Sequence, residues 1–344
     1  MSPAVAVVTD STAYLPEVPG VSVVPVQVIS GDRSWDEPDL TRALTGATRT
    51  RRDTSPGGSG SARATRAGLP SGAQPAPRDL AEAGGDAARG DRAGTGGDAT
   101  PGDPARAGGG CASLAWGDLA TATTSRPAPE RFASCYAALT AQGAAAVVSV
   151  HLSGELSGTV EAARAAAREA PLPVTVVDSR SIGMGLGFPV LAAARAAAEG
   201  GDPEAVARAA AQCAARTRTL FYVDTLDQLR RGGRIGAAAS LVGTALMIKP
   251  LLRLTDGRIA LLEKVRTASR ALARLEDLVV QDAGGEQVEI AVQHLAAPER
   301  AETLARDLAK RVRGVTEVRV MEVGAVIGVH VGPGMLGITI APAS

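Results

Sequence analysis

The chain has 344 residues, of which 45% are hydrophobic and 2% aromatic, and its 36 Lys and Arg side chains equal its 36 Asp and Glu side chains in number. This length and apolar content are enough to fill the cores of two lobes. A formal net charge of +0 gives no overall field that would attract nucleic acid or an anionic lipid surface. We therefore expect neither a nucleic-acid-binding protein nor one that inserts stably into a membrane.

The cysteines and the first residues of the chain favour a cytoplasmic protein. Cys111, Cys135 and Cys213 are odd in number and far apart, so they predict neither a disulfide framework nor a zinc site. The first residues lead almost directly into a Val-rich strand and lack the basic region and apolar helix of a signal peptide. No run approaches the ~18 apolar residues of a membrane-spanning helix. A reducing cytoplasm is the expected location.

A low-complexity segment at about residues 53–116 follows the first two predicted strands, Val5–Val8 and Val21–Ile29. From Asp53 to Ala115 it contains no Val, Ile, Met or aromatic residue, so it can bury too little apolar area to offset the entropy lost on ordering. We predict a disordered insertion. The alternative is a regulatory or partner-binding arm.

After this segment, predicted strands and helices alternate as far as residue 224, which indicates a parallel sheet with helices on both faces. From residue 225 the pattern changes to a Gly-rich loop, shorter strands and two long helices. We therefore expect an α/β fold with a parallel-sheet lobe at residues 1–224 and a smaller α+β lobe at residues 225–344. The predicted elements of the first lobe are helices at 129–142, 157–168, 186–199 and 203–217 and strands at 147–152, 174–177 and 220–223.

The strongest candidate for a binding site is the polar turn that follows the predicted strand Val147–Leu152. A helix is predicted to begin within this turn, and free backbone N–H groups at a helix start bind anions. The hydroxyls of Ser153, Ser157 and Thr159 add further donors. The turn therefore predicts a site for a carboxylate or a phosphate, with ordinary N-capping as the alternative.

Ser157 also lies where the nucleophile of a serine hydrolase would lie, at a turn from strand to helix. The segment Gly154–Gly158 reads G-x-x-S-G, however, whereas a nucleophile elbow reads G-x-S-x-G. The candidate bases are His151, His294 and His330, and the pattern requires none of them. A serine-dependent hydrolase or phosphotransferase that uses Ser157 stays as the alternative function.

Two further polar turns adjoin predicted strands and helices. Asp10–Thr12 ends the first strand, and Thr123–Pro127 precedes a helix with Pro129 in its first turn. Ligands of open α/β sheets gather beyond the carboxyl ends of the strands. We therefore expect all three polar turns to converge on one crevice.

Basic side chains near glycine offer partners for an anion. Arg230–Arg234 places cations beside a flexible double glycine, and Lys264–Thr267 ends a strand with a basic pair, for which plain surface charge is the alternative. His330 lies in a predicted Gly-rich turn, where it would donate to an anion, titrate near neutral pH or serve structure alone. The histidines are far apart and lack nearby carboxylates or thiols, so we expect no metal and no other cofactor.

Several short motifs occur in an order that resembles the DegV family, whose characterised members include the FakB fatty-acid-binding subunits of bacterial fatty acid kinases. Individually several motifs are weak, but the ordered set is specific and spans nearly the whole chain except the insertion. The matching segments are Thr9–Thr12, Thr124–Pro127, His151–Ser153, Leu156–Thr159, Val177–Ser179, Gly232–Ile235, Ile248–Pro250, Asp256–Gly257 and His330 with Gly332–Gly334.

The resemblance implies a long-chain fatty acid buried between the two lobes, and a Dak-type fatty acid kinase subunit that supplies ATP and metal. This chain would then bind and present the substrate and would not itself be an enzyme. Departures from the family pattern are Arg126, where many relatives have Gln, and Glu155, which adds a charge before Ser157. The implied roles are carboxyl binding by Thr124 and Ser157, support of the anion-site turn by Ser125, Ser153, Gly158 and Thr159, and contact with the acyl phosphate or the kinase by Arg234, Arg266 and His330.

Overall fold

The computed structural model describes residues 4–42, 44, 121–236 and 248–343, and the predicted insertion lies outside them. The strands are β1 Val5–Asp10, β2 Val21–Val24, β3 Gln27–Ser30, β4 Arg33–Asp36, β5 Thr123–Ser125, β6 Ala146–His151, β7 Val174–Asp178, β8 Arg218–Tyr222, β9 Lys249–Thr255, β10 Arg258–Val265, β11 Val288–His294, β12 Val315–Glu322 and β13 Leu336–Pro342. The helices are α1 Pro129–Ala141, α2 Thr159–Ala167, α3 Met184–Ala198, α4 Pro203–Arg216, α5 Asp227–Arg231, α6 Ala268–Ala283, α7 Pro298–Arg311 and α8 Ala325–Val331, with residues 37–42 also helical.

The first sheet is parallel, with strand order β2-β1-β6-β7. Successive side chains of β1 point to opposite faces, as the pleat of a strand requires. Val7 packs against the layer formed by α3 and α4, and Val8 packs against the layer formed by α1 and α2. The predicted parallel sheet with helices on both faces is confirmed.

The second sheet has the order β10-β9-β8-β13-β11-β12 and is antiparallel except where β11 pairs with β12. Leu275 of α6 and Leu304 of α7 pack into the core on one of its faces. The interpretation of Leu220–Val223 as a strand of the parallel lobe is wrong, because β8 lies between β9 and β13 of this sheet. The α+β character of the C-terminal part is confirmed.

The third sheet, in the order β4-β3-β5, is antiparallel and small. The single strand predicted at Val21–Ile29 is two strands: β2 ends before Pro25, which has no N–H for a ladder, and β3 enters the third sheet. Val26 and Val28 pack against Val326 of α8. This contact holds β5 beside a helix of the C-terminal part. No helix among the described residues is both long and apolar enough to cross a membrane.

Candidate functional site

A largely apolar cavity lies between elements of the three sheets. Its volume is about 70 Å³. This volume is below the roughly 300–1,000 Å³ of ligand sites in proteins, so a long ligand requires the lining to move apart. Four polar side chains line it, namely Thr124, Ser157, Arg234 and His330, together with Val26, Leu152, Leu156, Ile182, Leu229, Ile259, Val326, Ile327 and Val331.

Thr124 and His330 meet at this cavity although they are far apart in the chain. Thr124 Oγ1, on β5, lies 2.9 Å from His330 Nε2, in the last turn of α8. His330 Nδ1 is buried and has no hydrogen-bond partner among the described residues. A ring that carries its proton on Nε2 donates it to Thr124 and leaves the unprotonated Nδ1 as an unpaired acceptor. The Thr124 hydroxyl proton is then available for a ligand oxygen.

His330 is a neutral imidazole at physiological pH. Burial, together with the nearby positive charge of Arg234, lowers its pKa to about 4. The expectation that it titrates near neutral pH is therefore wrong. Its predicted position in a Gly-rich turn is also wrong, since residues 325–331 form α8. Gly232 lies so close that an added Cβ would overlap His330 Nδ1.

Ser157 lies directly before α2, at the predicted polar turn. Its Oγ is 2.9 Å from Oγ1 of Thr159, whose side chain is buried and can orient the serine hydroxyl. The N-cap of α2 is Gly158, which has no side chain to accept from the first N–H groups of the helix. These N–H groups and the serine hydroxyl therefore remain available to an anion.

Arg234 brings a positive charge to the cavity. Its Nε donates to the Leu156 carbonyl at 3.2 Å, and Nη1 donates to the Gly232 carbonyl at 2.6 Å. Both partners are neutral, so neither compensates the charge of the guanidinium. The result is a half-buried cation beside the two hydroxyls.

Five of the predicted residues do not line the cavity, namely Ser125, Ser153, Gly158, Thr159 and Arg266. Ser153 is buried, and its hydroxyl donates to the Gly257 carbonyl at 2.8 Å. Ser125 Oγ donates to the Arg126 carbonyl at 3.3 Å. Arg266 follows β10 directly and is exposed. The cavity thus contains Thr124, Ser157, Arg234 and His330 of the predicted set.

The polar turn after β1 does not join this cavity, so the expectation that three turns converge is wrong. Asp10 is fully buried and accepts the Leu152 N–H at 3.0 Å through Oδ2, which also lies 3.1 Å from His151 Nδ1. His151 Nε2 lies 2.7 Å from Ser149 Oγ. These contacts fix the end of β6, where Leu152 enters the cavity lining.

The geometry gives no support to Ser157 as a hydrolytic nucleophile. Its hydroxyl bonds to Thr159, while His151 bonds to Ser149 and Asp10, and His330 bonds to Thr124. His294 Nδ1 accepts from the Ala297 N–H at 3.5 Å. Within the described part of the chain, no histidine forms a hydrogen bond with the serine.

Sequence reasoning missed the apolar side of the site and its support. The helical run Ala325–Val331 supplies four lining residues, but its valines and glycine gave no helical signal. Glu37 and Tyr14, which bond to the start of this helix, carried no motif either. The feature that could have indicated α8 is the long apolar run before His330.

Comparison with known proteins agrees with the family resemblance of the sequence motifs, both in sequence and in fold. The chain matches the family described as "Uncharacterised protein, DegV family" over residues 118–343. A DegV domain-containing protein of Streptomyces coelicolor is 45% identical to it over 345 residues, which cover 99% of each chain.

Two solved structures resemble the chain over nearly its full length. A DegV family protein from Thermus thermophilus, described by its fatty acid binding, is 28% identical with a TM-score of 0.72, covering 99% of this chain and 100% of that chain. DegV from Bacillus subtilis, described as a fatty acid binding protein, is 25% identical with a TM-score of 0.71 and the same coverage of 99% and 100%. The sequence match and the shared fold establish that the chain belongs to the DegV family.

Proposed function

We propose that this protein binds a long-chain fatty acid in the cavity, with the carboxylate at Thr124 and Ser157. The observation that carries the proposal is the lining itself, which joins nine apolar side chains to two hydroxyls, a histidine and an arginine. An amphipathic ligand with an anionic head satisfies both parts. The relatives from Thermus thermophilus and Bacillus subtilis that are described as fatty acid binding support this choice of ligand.

The two parts of the site have different energetic roles. Each buried methylene contributes about 0.8 kcal/mol, so a tail of about ten buried methylenes contributes roughly 8 kcal/mol before binding costs. A hydrogen bond to a charged group contributes about 1.5–3 kcal/mol. The tail therefore supplies most of the affinity, and the hydroxyls fix the carboxylate in one place.

We further propose that the protein presents this carboxylate to a separate Dak-type fatty acid kinase subunit in the cytoplasm. The kinase supplies ATP and metal and forms the acyl phosphate, and this chain supplies the bound substrate. Arg234, Arg266 and His330 face the acyl phosphate or the kinase, while Ser125, Ser153, Gly158 and Thr159 support the carboxyl-binding turn. The half-buried charge of Arg234 beside the two hydroxyls supports this orientation.

The direct test is the affinity of the isolated protein for a fluorescent long-chain fatty acid. Ser157→Ala should weaken binding by about tenfold, because one hydrogen bond to a charged carboxylate is lost. Ser269→Ala is the matched control, since its exposed hydroxyl lies against Thr267 at the start of α6, away from the cavity, and its affinity should equal that of the wild type. Equal affinities for all three proteins would contradict the assignment of Ser157.

The kinase step requires a separate assay. Purified Dak-type kinase with ATP should form acyl phosphate only when the loaded protein is present, and Ser157→Ala should lower the rate. Turnover of fatty acid that does not depend on this protein would contradict its role as the presenting subunit.

A further inference from the structure

Helix α8, which lines the cavity, begins on a cluster of side chains from the N-terminal part of the chain. The first N–H groups of a helix have no partners within it. Here three of them are bound by side chains from residues 14–41, and the three residues that supply these side chains do not line the cavity. The pairs are Ala325 N with Thr41 Oγ1 at 3.0 Å, Val326 N with Glu37 Oε1 at 2.8 Å, and Ile327 N with Tyr14 Oη at 3.2 Å.

Glu37 is the centre of this cluster. Its carboxylate accepts the Tyr14 hydroxyl at 2.5 Å and the Ser11 hydroxyl at 2.6 Å, and its side chain is buried. The cluster packs directly against Gly324. A Cβ added there would lie 2.7 Å from Glu37 Oε1 and 2.5 Å from a ring carbon of Tyr14. The start of α8 therefore has little freedom to shift while these contacts are intact.

The same helix carries much of the proposed fatty-acid site. Val326 and Ile327, whose N–H groups are bound by Glu37 and Tyr14, line the cavity, and so does His330 one turn later. His330 in turn bonds to Thr124. A displacement of the first turn would therefore move both the apolar wall and the partner of Thr124.

We propose that Glu37, together with Tyr14, is a positioning residue for the fatty-acid site, acting through the first turn of α8 on Val326, Ile327 and His330. This inference rests on the proposed function, because it assigns a role in fatty-acid binding to residues that do not line the cavity. The ionisation of Glu37 then couples pH to affinity.

The sign of that coupling follows from the surroundings of Glu37. Burial raises its pKa to about 7, and the charge of Asp10 acts in the same direction, whereas the bonds from Ser11, Tyr14 and Val326 lower it. The groups of α8 that face Glu37 are backbone N–H groups. The titratable groups that act on Glu37 from the β1 side are Tyr14 and Asp10. A displaced α8 would admit water and return the carboxyl toward its ordinary pKa of 4.5. Glu37 therefore binds its proton more tightly while α8 is in contact with it. This contact weakens as the pH rises from about 4.5 to 7.

Two variants test this inference. Tyr14→Phe removes one hydroxyl without a change of charge and leaves the Ile327 N–H unpaired, so fatty-acid affinity should fall about fivefold. Glu37→Gln cannot ionise, so its affinity between pH 5.5 and 7.5 should lack the decline with rising pH that the wild type shows. The ionisation of the ligand itself is common to both proteins and cancels in their ratio, which should change about fivefold.

Asp202→Ala is the matched control, because Asp202 caps α4 through the Ala205 N–H at 2.7 Å, and no residue of α4 lines the cavity. It should keep the affinity and the pH profile of the wild type. Hydrogen exchange of residues 325–331 in ligand-free protein independently measures how firmly α8 is held by these contacts. The protection of its amides from exchange should fall in Tyr14→Phe.

The outcomes separate the two proposals. Reduced protection with unchanged affinity, or identical pH profiles for wild type and Glu37→Gln, would overturn the positioning role while fatty-acid binding stands. A wild-type protein that binds no fatty acid at any pH would overturn the proposed function and this inference with it.

Discussion

Buried titratable side chains lie at both ends of α8, and their pKa values are shifted in opposite directions relative to the unfolded chain. Burial lowers the pKa of His330 from 6.5 to about 4 and raises that of Glu37 from 4.5 to about 7. Stability owed to His330 is complete above pH 6.5 and is lost as the pH falls toward 4. Stability owed to Glu37 is complete below pH 4.5 and is lost as the pH rises toward 7. Each shift corresponds to roughly 3 kcal/mol. Because the two shifts have opposite signs, the pH dependences that they give to the free energy of unfolding oppose each other.

Single variants should separate these slopes. In His330→Gln the free energy of unfolding should fall with rising pH between 4.5 and 7 more steeply than in the wild type, because only the Glu37 contribution remains. In Glu37→Gln it should rise with pH between 4 and 6.5. Urea denaturation at half-unit pH intervals measures both differences, and parallel curves for the three proteins would contradict the assignment of these buried groups.

The turn between β9 and β10 closes the cavity from the side of the second sheet. Arg258 binds Glu155 through Nε at 2.9 Å and Nη2 at 2.6 Å, and Ile259 and Leu156, the next residues, both line the cavity. The ion pair is exposed, with 67% of the Arg258 side chain and 44% of the Glu155 side chain accessible. Exposed pairs contribute about 0–1 kcal/mol, so this contact is weaker than the buried caps of α8. We therefore expect the cavity to open to the ligand at this turn.

Breaking the pair should accelerate ligand exchange. Glu155→Gln should release a fluorescent fatty acid up to about fivefold faster in stopped-flow experiments, with little change in equilibrium affinity because association accelerates as well. Glu204→Gln, which loses an exposed ion pair with Arg208 on α4, is the matched control. Equal release rates in both variants and the wild type would exclude this turn as the route.

The elements of the first sheet could be predicted because their local signals are strong. β1 and β6 are buried Val-rich runs, and α1 begins at Pro129 with Glu130 in its first turn, as the sequence indicates. The apolar run of α8 does not by itself specify a helix, because its seven residues include three valines and a glycine, which disfavour an isolated helix. Side chains from residues 14–41 stabilise its start, and no local pattern reveals that long-range contact.

The position of β8 shows the same limit at the level of topology. Its sequence fits a buried strand of either sheet, and its partners β9 and β13 follow later in the chain. The site residues Thr124 and Ser157 could be proposed from motif order. The apolar lining could not, since Val, Leu and Ile serve as core throughout the molecule.

At the scale of the whole molecule, the cavity exists because elements of three sheets meet around it. β5 of the third sheet brings Thr124, the turn before α2 brings Ser157, and β10 of the second sheet brings Ile259. Neither the N-terminal nor the C-terminal part alone encloses the space. A ligand held there contacts both parts and stabilises their packing by mass action.

The most direct test of fatty-acid binding is mass spectrometry of the intact purified protein under native and then denaturing conditions, with extraction and identification of the released small molecules. We expect a near-stoichiometric long-chain fatty acid that is lost on denaturation and whose occupancy is reduced in Ser157→Ala. An empty protein that also fails to take up added fatty acids would contradict the assignment of the cavity as a fatty-acid site.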